Sequence, residues 1–351
     1  MRSILNKMIA SRFLILLATL ATIAYPPAHS GAAEEVNVYS HRHYETDKIL
    51  FKKFTTQTGI KVNVVKAKAA ELIQRLITEG KNSPADVLIT VDAGGLHQAK
   101  KARVLQPATS ETLEKRVPAA LRDRDGYWYG LTVRARVIAY AKDRVKPADL
   151  STYEDLAKPV WKNRILARSS GNIYNQSLLA SIIASGGEEE ALAWAKDVRG
   201  NMARPPRGND RDQMRAVAGG LADIAIVNTY YLGRLQSSSD KKDRDVFEKI
   251  AAFFPNQDEA GRGTHINVSG AGVTAAAKNK ANAIKLIEFL ASDEAQKDYA
   301  AANYEYPLDP SNNANELLKS WGAFKRDPLP LSVLGENNTE AVKIFDTAGW
   351  E

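Results

Sequence analysis

Short β-type runs alternate with helical stretches from residue 36 onward, and this alternation commits the chain to an α/β architecture before composition is weighed. The pattern predicts strand over 36–39, helix over 46–57 closed by Gly59, strand over 62–65, helix over 69–79 ended by Gly80, and strand over 85–90. Strands separated by single helices form βαβ units, because parallel neighbours need a crossover between them. Residues 129–140 are a longer β-type run without a break, able to cross from one lobe to another. A second series follows, with strand over 164–167, helices over 172–184, 188–198 and 210–217, and strand over 222–227. Beyond Gly261 the runs 265–269 and 271–275 return toward the first lobe, helices follow over 281–290 and 293–302, and a Pro-rich section from Pro307 wraps the surface.

Arg2, Lys7 and Arg12 precede an apolar run over 13–24, and a small-residue site follows at Ala28-His29-Ser30. That is an export signal, too short to span a bilayer, so residues 1–33 are assigned to a cleaved leader and the remainder to the periplasm. Without cysteine the exported chain has neither disulfides nor thiol chemistry, so its core must hold by burial. The length after the leader exceeds what one core usually supports, and two lobes are expected. The formal net charge is +7, of which the leader supplies the three basic residues named above. The remaining mild excess is interspersed, with no basic cluster alternating with aromatics, so no nucleic-acid partner is expected.

The candidate chemistry lies in tyrosine. Tyr230-Tyr231 follows the apolar run 222–227 and places two phenols where a buried strand ends. With 13 tyrosines in 351 residues, about half of one adjacent pair arises by chance, so the pair alone is weak. Tyr44, beside His43, and Tyr174 also fall where a predicted strand hands over to a helix, and open α/β sheets bind ligands at the carboxyl ends of their strands. Three segments thus point at one cleft. A phenol of pKa about 10 ligates at neutral pH only if a highly charged cation displaces its proton, which suits Fe(III) better than zinc or copper. No H-E-x-x-H zinc motif, EF-hand loop, G-x-S-x-G elbow, Walker pattern or dinucleotide fingerprint is present.

The chain resembles the ferric-ion-binding periplasmic proteins of ABC iron importers, in particular the cyanobacterial-type branch with a tyrosine-rich site. The resemblance covers the chain after the leader and is carried by residues 40–47 (SHRHYETD), 130–138 (GLTVRARVI), 169–175 (SSGNIYN) and 228–234 (NTYYLGR). It implies a two-lobed periplasmic-binding-protein fold of type II, each lobe a mixed sheet flanked by helices, with hinge crossovers between lobes. The expected N-lobe is 34–133 plus 260–307 and the C-lobe 134–259 plus 308–351. The resemblance further implies Tyr44, Tyr174, Tyr230 and Tyr231 as ligands of Fe(III), His43 as a nitrogen ligand in some members, and an ABC permease as partner, with the carrier a monomer. Four phenolates around Fe(III) leave an excess charge of −1, which needs a nearby cation. Arg134 is the expected cation or anion clamp, with Arg234 a second candidate. The turn 169–172 could hold a synergistic anion such as carbonate at a helix start.

Bland alternatives stand beside each of these. Without the other segments, Tyr230 and Tyr231 read as half-buried strand-end aromatics, Tyr174 as helix packing and Tyr44 as a loop cap. Arg134 and Arg136, two apart in a strand, read as exposed cross-strand charges. His41, His97, His265, Tyr304 and Tyr306 read as structural or surface residues, and 127–129 as inter-lobe packing. The rival functions are a solute-binding protein of the same fold for a polyamine, thiamine or an oxyanion, and a secreted metal-dependent enzyme.

Overall fold

The structure is a computed structural model that describes residues 34–42 and 44–351, so the leader and His43 lie outside the described residues. Its strands are β1 (Glu35–Ser40), β2 (Lys61–Lys66), β3 (Val87–Thr90), β4 (Leu105–Gln106), β5 (Tyr129–Ala141), β6 (Ile165–Leu166), β7 (Ile224–Asn228), β8 (Ile250–Phe253) and β9 (Ile266–Thr274). The first helices are α1 (Glu45–Thr58), α2 (Ala69–Glu79), α3 (Ala93–Lys101), α4 (Glu111–Arg116), α5 (Ile173–Asn201), α6 (Asp210–Ala218) and α7 (Thr229–Gln236). They are followed by α8 (Lys241–Lys249), α9 (Lys280–Leu290), α10 (Asp293–Asn303), α11 (Glu316–Ser320), α12 (Ser332–Glu336) and α13 (Asn338–Thr347). Among the described residues no helix is long and apolar enough to cross a membrane.

The strands join in the order β2-β1-β3-β9-β5-β7-β6, with β4 on β9 and β8 on β5. The βαβ units make β1 parallel to both β2 and β3, as the alternation predicts, whereas β9 runs antiparallel to β3 and β5. The expected crossover run is the 13-residue β5. Its stretch Tyr129 to Ala135 pairs with β9, Arg136 to Tyr140 pair with β7, and Ile138 to Ala141 pair with β8. One strand therefore belongs to both halves of the sheet, and all its residues through Ala139 are buried. Apolar residues there and on neighbouring strands, such as Leu131, Val133, Val137, Ile226 and Val268, form the core. Each stabilises by about 1.5–3 kcal/mol relative to exposure.

Helices α1 and α2 end at the expected Gly59 and Gly80. The two helices predicted over 172–198 form the single element α5, broken in direction at Gly187, where φ is +85°. The two short runs after Gly261 are one continuous strand, β9, paired with β5 across a register shift between Gly130 and Thr132. The C-terminal section departs from the expected surface wrap. Ile344, Phe345 and Trp350 are buried, and the Trp350 ring stacks on Trp194 at 5.8 Å while its indole N–H donates to the Arg168 carbonyl at 2.9 Å. Leu331, Leu334, Ala341, Ile344 and Phe345 recur at helical spacing, so burial of that face won over the Pro-rich appearance of the segment.

Candidate metal centre

Three strand-to-helix junctions deliver the phenols. β1 runs through Arg42 to Tyr44, which holds extended backbone as the residue before α1 and is 8% exposed. β6 leads to the start of α5, where the Asn172 side chain accepts from the Tyr174 N–H at 3.1 Å and fixes Tyr174 in the first turn. β7 ends at Asn228, and Tyr230 and Tyr231 occupy the first turn of α7 rather than the strand end itself. Gly233 lets that helix lie against Tyr304, since a β-carbon there would come within 2.2 Å of the Tyr304 ring.

The structure brings the phenols together. The Tyr230 hydroxyl donates to the Tyr174 hydroxyl at 3.3 Å, and the Tyr230 and Tyr231 rings lie 4.3 Å apart. The Arg234 guanidinium spans Tyr44, at 4.4 Å from its ring centre, and Tyr230, at 5.7 Å. Burial raises the Tyr230 phenol well above its ordinary value, and the neighbouring charges of Tyr174, Tyr44 and Tyr231 raise it further, against the pull of Arg134. Tyr174 is raised by burial and then by Tyr231 and Tyr44, and Tyr44 by burial and then by Glu305. These phenols are therefore neutral until a cation displaces their protons.

Arginines surround them, and most are neutralised by buried carboxylates. Arg134 is 2% exposed, with its guanidinium 2.9 Å from Glu305 and further bonds to Ser269 and the Val91 carbonyl. Both terminal nitrogens are engaged while Nε is buried without a partner, which fits a fixed neighbouring cation. Arg42 pairs with Asp47 at 3.0 Å and with Glu305 at 3.1 Å, and lies 4.7 Å over the Tyr44 ring. Arg136 is 1% exposed rather than a surface charge, bonded to Asp210 at 2.9 Å, Asn175 at 2.6 Å and Asn228 at 3.1 Å. Arg168 pairs with the other oxygen of Asp210 at 3.3 Å and lies 5.5 Å over the Tyr174 ring. Arg234 alone of these makes no ion pair among the described residues; its Nε, like those of Arg134, Arg136 and Arg168, is buried without a hydrogen-bond partner.

Sequence reasoning missed Glu305, Asp210, Arg42 and Arg168 as parts of this site. Glu305 lies 171 residues from Arg134, and no local pattern links them. Asp210 is hidden in an ordinary helix start, where Asn209 and Asp212 form a capping box. The expected anion turn is partly used, since the Asn172 side chain already caps α5. Among the described residues no three His, Asp or Glu side chains gather in a metal-binding group. The phenols remain the oxygen-rich centre.

Comparison with known proteins adds independent findings. Residues 82–326 match the family described as bacterial extracellular solute-binding protein. Iron uptake protein A1 of Synechocystis is 51% identical over 92% of this chain and 89% of its own length. The major ferric iron-binding protein of Neisseria meningitidis is 33% identical over 95% of this chain and 97% of its own. Trichodesmium FutA, solved in complex with iron and citrate, superposes with a TM-score of 0.88 at 50% identity, covering 90% of this chain and all of that one.

Proposed function

The chain belongs to the bacterial extracellular solute-binding proteins, and from that premise we propose that it captures Fe(III) through tyrosinate ligands and delivers it to an ABC permease. The observation that carries this is the convergence of Tyr44, Tyr174, Tyr230 and Tyr231 inside a ring of arginines. Iron, arriving as cargo, replaces the phenolic protons; the four phenolates then leave a charge of −1. Arg42, Arg134, Arg136, Arg168 and Arg234 outnumber Asp47, Glu305 and Asp210, the carboxylates that pair with them, so a positive surplus faces that charge. His43 is a candidate further ligand. Arg234, lacking a carboxylate, is the donor best placed to hold a carbonate or a carboxylate of an iron chelate.

The lobes are 34–133 plus 260–307 and 134–259 plus 308–351, hinged where β5 passes between the sheet halves. Tyr44 comes from the first lobe and the other three phenols from the second, so iron closes the hinge by joining them. The leader directs the chain to the periplasm, where it acts as a monomer that makes and breaks no substrate bond. Release follows protonation of a phenolate, since ligation requires the deprotonated form. Similar proteins that bind iron support this function over that of a polyamine, thiamine or oxyanion carrier.

Titration of the metal-free protein with a ferric chelate tests it. One equivalent of iron is expected to produce a visible tyrosinate-to-iron charge-transfer band that zinc does not produce. Absence of that band at saturating iron would contradict the proposal.

A further inference from the structure

We propose that a second site, apart from the phenols, binds a small amphipathic monocarboxylate in the cavity between Tyr306, Phe324 and Arg326. The cavity measures about 310 Å³ and is walled on its apolar side by Pro310, Leu318 and Phe324. That volume is at the lower end of the roughly 300–1,000 Å³ usual for small-molecule sites. The Phe324 ring belongs to an aromatic cluster, 5.3 Å from Tyr306 and 4.5 Å from Phe254, with Trp321 6.2 Å from Phe254. A flat hydrocarbon body would pack on these faces.

Two polar groups at this cavity have no protein counterpart. The Arg326 guanidinium lies 5.9 Å over the Tyr306 ring and 5.7 Å over the Phe324 ring, and its side chain makes no ion pair or hydrogen bond among the described residues. Other half-buried arginines of this chain, such as Arg164 and Arg262, have carboxylates beside them. Tyr306 is 5% exposed, and its hydroxyl is buried with no hydrogen-bond partner among the described residues. Burial pushes the Arg326 guanidinium below its ordinary pKa and the Tyr306 phenol above its own, so the cation is partly desolvated and the phenol remains a donor. No acidic side chain lines the cavity, and its Lys319 pairs outward with Glu316 at 2.8 Å. A forked cation, a neutral donor and aromatic walls together fit a carboxylate on an apolar body, and fit poorly to a bare phosphate or a cation.

Both polar residues ride on paired backbone. Tyr306 exchanges N–H to carbonyl bonds with Val133 at 2.7 and 2.8 Å. Arg326 is bridged in parallel to Thr264, with the Thr264 N–H donating to Lys325 at 2.8 Å and the Asp327 N–H to Thr264 at 3.0 Å. The backbone under both residues is therefore held in place independently of any ligand. Glu305, next to Tyr306, turns instead onto Arg42 and Arg134 beside the phenols, so the two sites draw on neighbouring residues but share no lining side chain.

Isothermal titration of the full protein with 3-phenylpropionate tests the site, with intrinsic tryptophan fluorescence as a second readout. Saturable binding is expected, weakened about tenfold or more by Arg326→Gln, and several-fold by Tyr306→Phe, which keeps the ring. The neutral 3-phenylpropionamide should bind about tenfold or more weakly than the acid, and inorganic phosphate should not compete. Tyr231→Phe, altering the phenol cleft, should leave this binding unchanged. No saturable binding, equal binding of acid and amide, or loss in Tyr231→Phe with retention in Arg326→Gln would each overturn the proposal. Should Arg326→Gln fail to fold, the amide and Tyr306→Phe comparisons decide it alone.

Discussion

Two buried carboxylates each clasp two arginines beside the phenols, but they are not equally enclosed. Glu305 joins Arg42 and Arg134 with none of the three side chains more than 2% exposed. Asp210 is just as buried, yet one of its arginines, Arg168, keeps 17% exposure. Arg136 has Asn175 and Asn228 as neutral partners, and Arg134 has Ser269 and the Val91 carbonyl, so among the described residues each of these two buried arginines has one carboxylate and the two clasps differ in the exposure of their other arginine. The difference teaches that similar chemistry can be structural on one side of a site and adjustable on the other. Water can replace a lost partner at the rim but not in the interior.

The largest expected effect is therefore for Glu305→Gln, which strands a buried guanidinium. Urea unfolding should show a loss of about 3–5 kcal/mol. Asp210→Asn should cost about 2–3 kcal/mol, because Arg168 can turn to solvent. A cost for Asp210→Asn equal to or above that of Glu305→Gln would break the comparison.

The pH dependence sharpens it, with two carboxylates acting in opposite senses. Burial alone would raise the Glu305 carboxyl, but Arg42 and Arg134 hold it below its ordinary value. Its contribution to stability is thus present above the unfolded carboxylate pKa and is lost as pH falls through the lower folded one. Asp92 is raised to about 6 by burial, against hydrogen bonds from the Gly94 N–H and the Ser177 hydroxyl. Its folded form holds a proton that the unfolded chain releases near pH 4, so ionised Asp92 costs stability above about pH 6, and that cost is relieved on acidification. Asp92→Asn should remove this second slope, changing the stability difference from wild type by up to about 3 kcal/mol between about pH 4 and pH 7. A pH-independent difference would contradict that assignment. The smallest effect belongs to Arg168→Gln, expected to cost at most about 1 kcal/mol by thermal unfolding because the side chain reaches the rim.

Local pattern carried most of the fold. The strand and helix limits around α1, α2 and β5 follow from apolar periodicity and from glycines that stop helices, all of which are short-range signals. The convergence of Tyr44 with Tyr174 and Tyr230 was legible because each follows a strand, and strand ends meet at one edge of an α/β sheet. The arginine clasps were not legible. Glu305 and Asp210 meet their partners only after the chain has folded back across the sheet, and a buried ion pair has no periodicity to announce it. Arg136 misled for a related reason: a charge alternating in a strand looks exposed until a buried carboxylate is known to face it.

Whether four phenols act together on one ferric ion is decided by ferric titration of the four single Tyr→Phe variants, followed at the visible charge-transfer band. Tyr44→Phe, Tyr174→Phe, Tyr230→Phe and Tyr231→Phe are each expected to stay folded, bind iron about tenfold or more weakly, and lose band intensity. A variant that keeps wild-type affinity and an unchanged band would remove that tyrosine from the site and contradict the account.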